Sequence, residues 1–424
     1  MIESLKELNK NAELKKLFGN YLSLFSLQGI NYLLLIVTLP YLVRVLGPEK
    51  YGLISFAMAI TVYMQIVTDF GFNLTATRDV SVNRGDNNRI SVIYGSVFVI
   101  KAALVIICFI VFFLVSVFVN RIKVEWLFYL MWYGVVIGNA LMPIWLFQGL
   151  ESMRYVAKVN IMVKLIFSFL IFVFVRKSSD YILVPVLNSV GYVSVGLWSL
   201  YLVKKDFKIK MIVPKFNDIK HYFFDGLYVF VSNVSVSMYT ASSVIILGIM
   251  TNNTFVGYYA AGEKVIQAVL GVMTPFYRAI YPYNARKINE SVEEGLKNIR
   301  IMARIVGVLM FIIGALLYLL SEKIVLIVLG PDYYNSVRVV KILSFVPLFS
   351  GLSNMLGVQT MLNLNMKKIF ANTMVFLSVI NVPISVILVY NMGYAGSAYA
   401  LFFIESIGTI MMMYFLRVKK IKVI

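Results

Sequence analysis

The residues able to do chemistry in this chain are charges set inside long apolar runs. Lys101 follows SVIYGSVFVI, Lys164 lies within VNIMVKLIFSF, Glu263 and Lys264 adjoin in YYAAGEKVIQ, and Glu405 sits in LFFIESIG. Arg278, Arg304 and Lys341 lie nearer the ends of their runs. A charge at the centre of a membrane helix costs roughly 2.5–3.5 kcal/mol on insertion scales, so each needs a partner or a wet cavity. Lys101 is about ten residues into its run, roughly 15 Å deep at 1.5 Å per residue. Lys101, Lys164 and Lys264 are too deep to snorkel easily and are read as facing an aqueous path. For Arg278, Arg304 and Lys341, snorkelling to the interface is an equal reading.

Deep cations outnumber deep anions. A cavity with that balance attracts an anionic cargo, and phosphate is the obvious chemical match. The expected substrate-binding set is therefore Lys101, Lys164, Lys264, Arg278 and Arg304. Glu263 and Glu405 have two readings, as ion-coupling groups or as neutralisers of a nearby lysine. With Asp69 and Arg78, on the polar exit from one span, they form the candidates for ion coupling or gating. Asp225 is placed in the first turn of a helix, where a carboxylate favours the dipole. Asn31, Gln65, Asn139, Gln148, Asn188, Asn233, Gln267, Asn354, Gln359 and Asn381 are polar residues in the spans. Many should serve helix–helix hydrogen bonds, and a subset could bind sugar hydroxyls.

Other chemistries lack their residues. The one cysteine, Cys108, permits no internal disulfide and no cysteine metal site, and His221 is the sole histidine. No GxxxxGK[ST] phosphate loop is present, so the chain has no ATPase of its own. No loop is long enough to hold a catalytic domain, and no acidic pair marks the first outer turn. These absences favour a transporter over a transferase or polymerase, and no cofactor is implied.

The elements that carry these charges are membrane helices. Of 424 residues, 60% are hydrophobic and 14% charged, against roughly 25% charged in a soluble domain. The net charge of +19 is read as basic cytoplasmic loops, not as a nucleic-acid surface. Twelve candidate spans of suitable length follow: 19–43, 51–72, 91–119, 126–150, 156–175, 181–203, 222–250, 255–281, 299–320, 337–361, 369–390 and 394–416. Gly47-Pro48 makes the turn between the first two, because Pro48 has no backbone N–H and Gly47 turns cheaply. The segment 323–329 is too short to span and is ended by Gly330-Pro331. The first twenty residues read as a short surface helix without a cleavable signal.

Basic residues fall mainly on the segments that lie inside if the N-terminus is inside, including six lysines between Lys204 and Lys220. Both termini are therefore expected in the cytoplasm. The loop KKDFKIKMIVPKFNDIKH divides the chain into two groups of six spans. The second resembles the first at a register of about 205 residues, the offset between Gly52 and Gly257. The expected fold is an all-α polytopic membrane protein of about twelve transmembrane helices in two parallel six-helix lobes, 1–210 and 211–424. The substrate path runs between them.

At RVLGPEKYGLISF, DFGFNLTATRDVS and PIWLFQGLESMRYVAKVN the sequence resembles the Wzx-type polysaccharide repeat-unit flippases. That superfamily also holds the MATE multidrug exporters and the lipid II flippases. VGYYAAGEKV, GPDYYNS, GVQTMLNLNMKKIF and YAGSAYALFFIES support the match, which covers essentially the whole chain. The resemblance implies a V-shaped, MATE-like fold with alternating access to a central cavity. It implies movement of an undecaprenyl-pyrophosphate-linked glycan across the bacterial cytoplasmic membrane for O-antigen, capsule or exopolysaccharide assembly. A polymerase and a chain-length regulator of the same pathway are the implied partners, beside membrane lipid. The lipid II flippases carry arginine and aspartate in the first helix. This chain has Asn31 at mid-depth there, so the phosphate contacts must come from elsewhere. The alternative is a MATE-like ion-coupled exporter of small molecules, for whose usual cationic cargo a cation-lined cavity is a poor host.

Overall fold

The structure is a computed structural model. It describes the backbone of residues 2–240 and 242–421. Side chains are described from 34 onward, apart from 35, 156, 232, 235–241 and 422–424. The described chain is helical throughout. Nine helices among the described residues are long and apolar enough to cross a membrane, the longest of them Ile36–Asp69 and Asn87–Phe118. Three expected spans are not among the nine. The first lies mostly on undescribed side chains, as do the surface character of residues 1–20 and the setting of Asn31. The seventh contains the undescribed residues 235–241. The eighth falls in the helix Asn253–Glu290, which at 38 residues is long enough but carries Glu263, Lys264, Gln267 and Arg278 and two internal prolines.

The helix Ile2–Asp69 is broken at Gly47, whose φ of 70° lies in the left-handed region. Pro48 keeps its predecessor out of helical geometry and starts the next helix without wasting an N–H. The expected turn is thus in place. The short helix Ser321–Val328 stands apart from its predecessor Val292–Leu319 and ends ahead of Gly330, at φ 96°. Asp225 is a correction: its helix begins at Phe216, so Asp218 occupies the first turn and Asp225 lies well inside.

By contact the chain forms two compact units, Met1–Leu34 with Ile60–Val234, and Leu35–Ala59 with Ser235–Ile424. These are not simple sequence halves, because the hairpin around Gly47 packs within the second. The first unit has an aromatic core. Phe72, Ile90, Ile93, Trp145, Phe147 and Tyr222 are fully buried in it, and Phe70 stacks on Phe223 and Phe230 at 4.8 Å each. Two sequence motifs meet there. The helix Thr75–Val82 lies against Ile144–Gly149, where Thr77 Oγ1 donates to the Trp145 carbonyl at 3.2 Å and Arg84 Nε to the Gly149 carbonyl at 2.7 Å.

The second unit has a methionine-rich core around Met310, Met355, Met361 and Met412, unbranched side chains that fill irregular gaps. Here the hairpin 44–57 packs on the start of Asn253–Glu290. A β-carbon at Gly52 would lie 1.8 Å from the Asn253 carbonyl oxygen. One at Gly257 would lie 2.0 Å from that of Pro48. Pro48 precedes Gly52 by the same four residues that separate Asn253 from Gly257, so the contact reads alike in both directions. Around it Arg44 donates to the Ile327 carbonyl. Tyr333 is fully buried between Tyr51 and Tyr258, with ring centroids at 6.4 and 6.3 Å.

Candidate functional site

In the first unit Lys101 is 4% exposed, and its ammonium lies 3.0 Å from Asp69 Oδ1. Asn139 Nδ2 donates to the other carboxylate oxygen at 3.4 Å. Three helices supply this cluster. Asp69 ends its helix, where the dipole disfavours an anion, and Lys101 offsets that with a full charge from Asn87–Phe118. The pair unites one expected cargo-binding cation with one expected gating carboxylate. Lys164 lies half-buried on Met153–Phe174.

The arginines of the exit loop are each tied to a carboxylate. Arg78 bonds Asp79 at 3.0 Å and Asp225 at 3.4 Å, Arg84 meets Glu151 at 2.7 Å, and Arg89 approaches Asp218 at 4.0 Å. The hydrogen bond and charge of Asp79, then the charge of Asp225, raise the Arg78 pKa further above its ordinary value. These contacts join Thr75–Val82 and the start of Asn87–Phe118 to the helix Phe216–Thr240. Arg78 is 64% exposed at its side chain, so a charge-assisted contact here is accessible to water.

In the second unit the helix Asn253–Glu290 carries two polar stations. At the first, Lys264 Nζ donates to Gln267 Oε1 and Gln267 Nε2 donates to Glu263 Oε1, both at 2.8 Å. Spacings of three and four residues put the three side chains on one face, and the amide joins cation to anion. The second station is Arg278, 14 residues and about 21 Å farther along the axis, so Lys264 and Arg278 do not share a site. Arg278 lines a cavity of about 330 Å³ with Thr274, Tyr277 and Tyr281 from its own helix and Asn354 and Gln359 from a facing segment.

That facing segment, Asn354–Met361, is π-helical. Its Leu362 N–H reaches the Gly357 carbonyl at 3.1 Å and Thr360 Oγ1 the Met355 carbonyl at 2.8 Å. Such wide turns are frequent at functional sites. A chain of amides supports it from behind. Asn298 Nδ2 donates to Asn284 Oδ1 at 3.1 Å, Asn284 Nδ2 to Gln359 Oε1 at 3.0 Å, and Gln359 Nε2 to the Tyr277 carbonyl at 3.0 Å and Asn354 Oδ1 at 3.4 Å. Asn284 and Gln359 are both fully buried. Sequence reading found Arg278, Asn354 and Gln359 but missed Tyr277, Tyr281, Asn284 and Asn298. The available signal was TPFYRAIYPYN, an aromatic-rich stretch between Pro275 and Pro282.

Arg304 is exposed on Val292–Leu319, and Glu405 is half-buried on Tyr394–Val418. Lys341 is exposed and sits 6.0 Å from the Tyr318 ring centroid. Thus in the first unit Lys101 is paired internally, whereas in the second a cation, two phenols and two amides, with Thr274 and Val358, line one concavity.

The chain is similar to a protein named "Putative O-antigen transporter" of Escherichia coli strain K12, 31% identical over 95% of this chain and 97% of the relative. It is 26% identical to a protein of the same name from Shigella dysenteriae, over 93% of this chain and 98% of that one. Among solved structures it resembles an inward-facing multidrug resistance MATE family transporter of the MOP superfamily, with TM-score 0.67, 13% identity and coverage of 92% and 94%. It also resembles the lipid II flippase MurJ in an inward closed conformation, with TM-score 0.68, 13% identity and coverage of 94% and 87%. The fold is therefore that of MATE-like transporters. The family profile described as polysaccharide biosynthesis protein matches residues 17–287, more than half of the sequence, and with near full-length relatives in agreement the chain belongs to the polysaccharide biosynthesis protein family.

Proposed function

We propose that this protein is a flippase, not an enzyme. Its cargo is an undecaprenyl-pyrophosphate-linked oligosaccharide repeat unit, moved across the bacterial cytoplasmic membrane for O-antigen, capsule or exopolysaccharide assembly. The observation that carries this reading is the near full-length similarity to O-antigen transporters. The chemistry of the second-unit cavity supports it: a guanidinium for phosphate, tyrosine faces and amides for sugar. The proposal includes twelve spans in two six-helix lobes, 1–210 and 211–424, with both termini in the cytoplasm. The lobes rock to expose a wet path to either side in turn, while the lipid tail stays in the bilayer. Water in the path spares the head group the cost of entering hydrocarbon bare.

Among the five expected cargo-binding cations, Arg278 is set on the wall of the cavity described above. Lys164, Lys264 and Arg304 remain in the set as contacts along the path. Lys101, closed off against Asp69, serves by positioning. Asp69, Arg78, Glu263 and Glu405 are assigned to coupling or gating. A polymerase and chain-length regulator receive the delivered unit.

The test is complementation. The gene is deleted in its host, and wild type, Lys101→Ala, Lys264→Ala and Arg278→Ala are scored for surface glycan, with membrane levels checked by blot. Wild type restores glycan and at least Arg278→Ala does not, at equal abundance. Intact glycan in the deletion strain, with increased drug sensitivity, would overturn this reading in favour of a small-molecule exporter.

A further inference from the structure

Resting on that reading, we infer that the Arg278 cavity is the subsite for the sugar attached directly to the pyrophosphate. We further infer that the amide of Asn354, set by the buried chain behind it, reads that sugar.

Size comes first. At about 330 Å³ the cavity is at the small end of ligand sites, which run ~300–1,000 Å³. That volume matches a pyranose with an adjoining phosphate better than an oligosaccharide on a lipid. The wall combines several chemistries. Arg278 offers the planar, permanently charged donors suited to phosphate oxygens. Tyr277 and Tyr281 offer flat apolar faces with polar tips, and Thr274 adds a hydroxyl. A bare anion site needs none of these aromatic surfaces, and a greasy drug pocket has no use for the amides.

Orientation comes second. A carboxamide can face a ligand with its carbonyl or with its NH₂ group. Gln359 decides this for Asn354, because its Nε2 donates to Asn354 Oδ1 at 3.4 Å and leaves Nδ2 as the donor end. Gln359 is held in turn by Asn284, and Asn284 by Asn298. Such fixed polar groups reject analogues that lack the matching acceptor far better than an apolar wall does. The π-helical turns place Asn354 and Gln359, five residues apart, so that both line the same cavity.

The experiment measures binding to the detergent-purified full chain by intrinsic fluorescence. The probes are a polyprenyl pyrophosphate without sugar, and the same lipid carrying N-acetylglucosamine, glucose or galactose. At least one sugar-bearing lipid should bind about tenfold more tightly than the bare lipid, the scale of one well-made hydrogen bond. Asn354→Ala and Tyr281→Leu should erase that preference. Arg278→Gln should weaken all the lipids alike. Asn284→Leu, which removes the hydrogen bond that holds Gln359, should reduce the preference while thermal unfolding confirms a folded protein. Equal binding of bare and sugar-bearing lipids by wild type overturns the subsite and leaves the flippase reading in place. So does a preference that survives both Asn354→Ala and Tyr281→Leu. Binding of none of the lipids overturns both.

Discussion

Two cations of the expected spans, Lys101 deep in its run and Arg278 near the end of its own, sit in opposite settings. Lys101 is closed from water and meets a carboxylate at 3.0 Å with an amide beyond it. Arg278 is exposed on the wall of a cavity among tyrosines and amides. Lys101 lies deep in an apolar run, where a charge is costly, and that cost is met within the protein fold. The second charge remains accessible to a ligand. Depth in a span shows that a charge needs compensation, and its neighbours show what supplies it.

The largest effect should come from breaking the internal pair. Asp69→Ala leaves the Lys101 ammonium facing a gap, and loss of one partner of a buried pair costs about 3 kcal/mol or more. Thermal unfolding in detergent should show a large drop. The double variant Lys101→Met with Asp69→Leu should recover much of it, since an apolar pair removes the stranded charge. An unaffected Asp69→Ala protein would dissolve the contrast. Arg278→Ala should show the opposite signature: unfolding changed little, and transport of the lipid-linked unit reduced about tenfold or more, as expected for lost charge-assisted hydrogen bonds. If instead it melts early, Arg278 belongs with Lys101 as a structural cation.

Gln267→Ala sharpens the comparison at an intermediate position. It removes the amide between Glu263 and Lys264 and should lower stability by about 1 kcal/mol, with a shift in the pH dependence of transport if Glu263 couples to protons. The smallest effect lies at the exposed pair Lys287 and Glu290. The Lys287 hydrogen bond and charge hold the Glu290 carboxyl below its usual range. A folded-state pKa below the unfolded one adds stability that is complete above the unfolded value and lost as pH falls through the folded one. An acid titration of Glu290→Gln against wild type should therefore differ only in the carboxylate range, and only slightly.

Much of the architecture was legible. Long apolar runs mark spans by length alone, and Gly47-Pro48 marks a break because Pro48 fixes its own backbone and lacks an N–H while Gly47 accepts the positive φ of the turn. The exit loop with Arg78, Arg84 and Arg89 was legible as a polar unit. Its partners were not, since Asp218, Asp225 and Glu151 are distant in sequence. Asp225 was misplaced because Pro214-Lys215 hides the helix start six residues earlier than the apolar run suggests. The Lys101–Asp69 pair was invisible, as each residue carries its own cost without naming its partner. The π-helical turn has no periodic signature. Asn284 and Asn298 lie just outside the expected spans 255–281 and 299–320, and only the fold brings them behind Gln359.

The crossing of Gly52 and Gly257 carries a consequence for inheritance. Two bare backbones touch there, with no side chain at either position that could yield. The same bareness removes tolerance: a methyl on either glycine overlaps a carbonyl of the other strand of the joint. Two positions 205 residues apart therefore share one mutational fate.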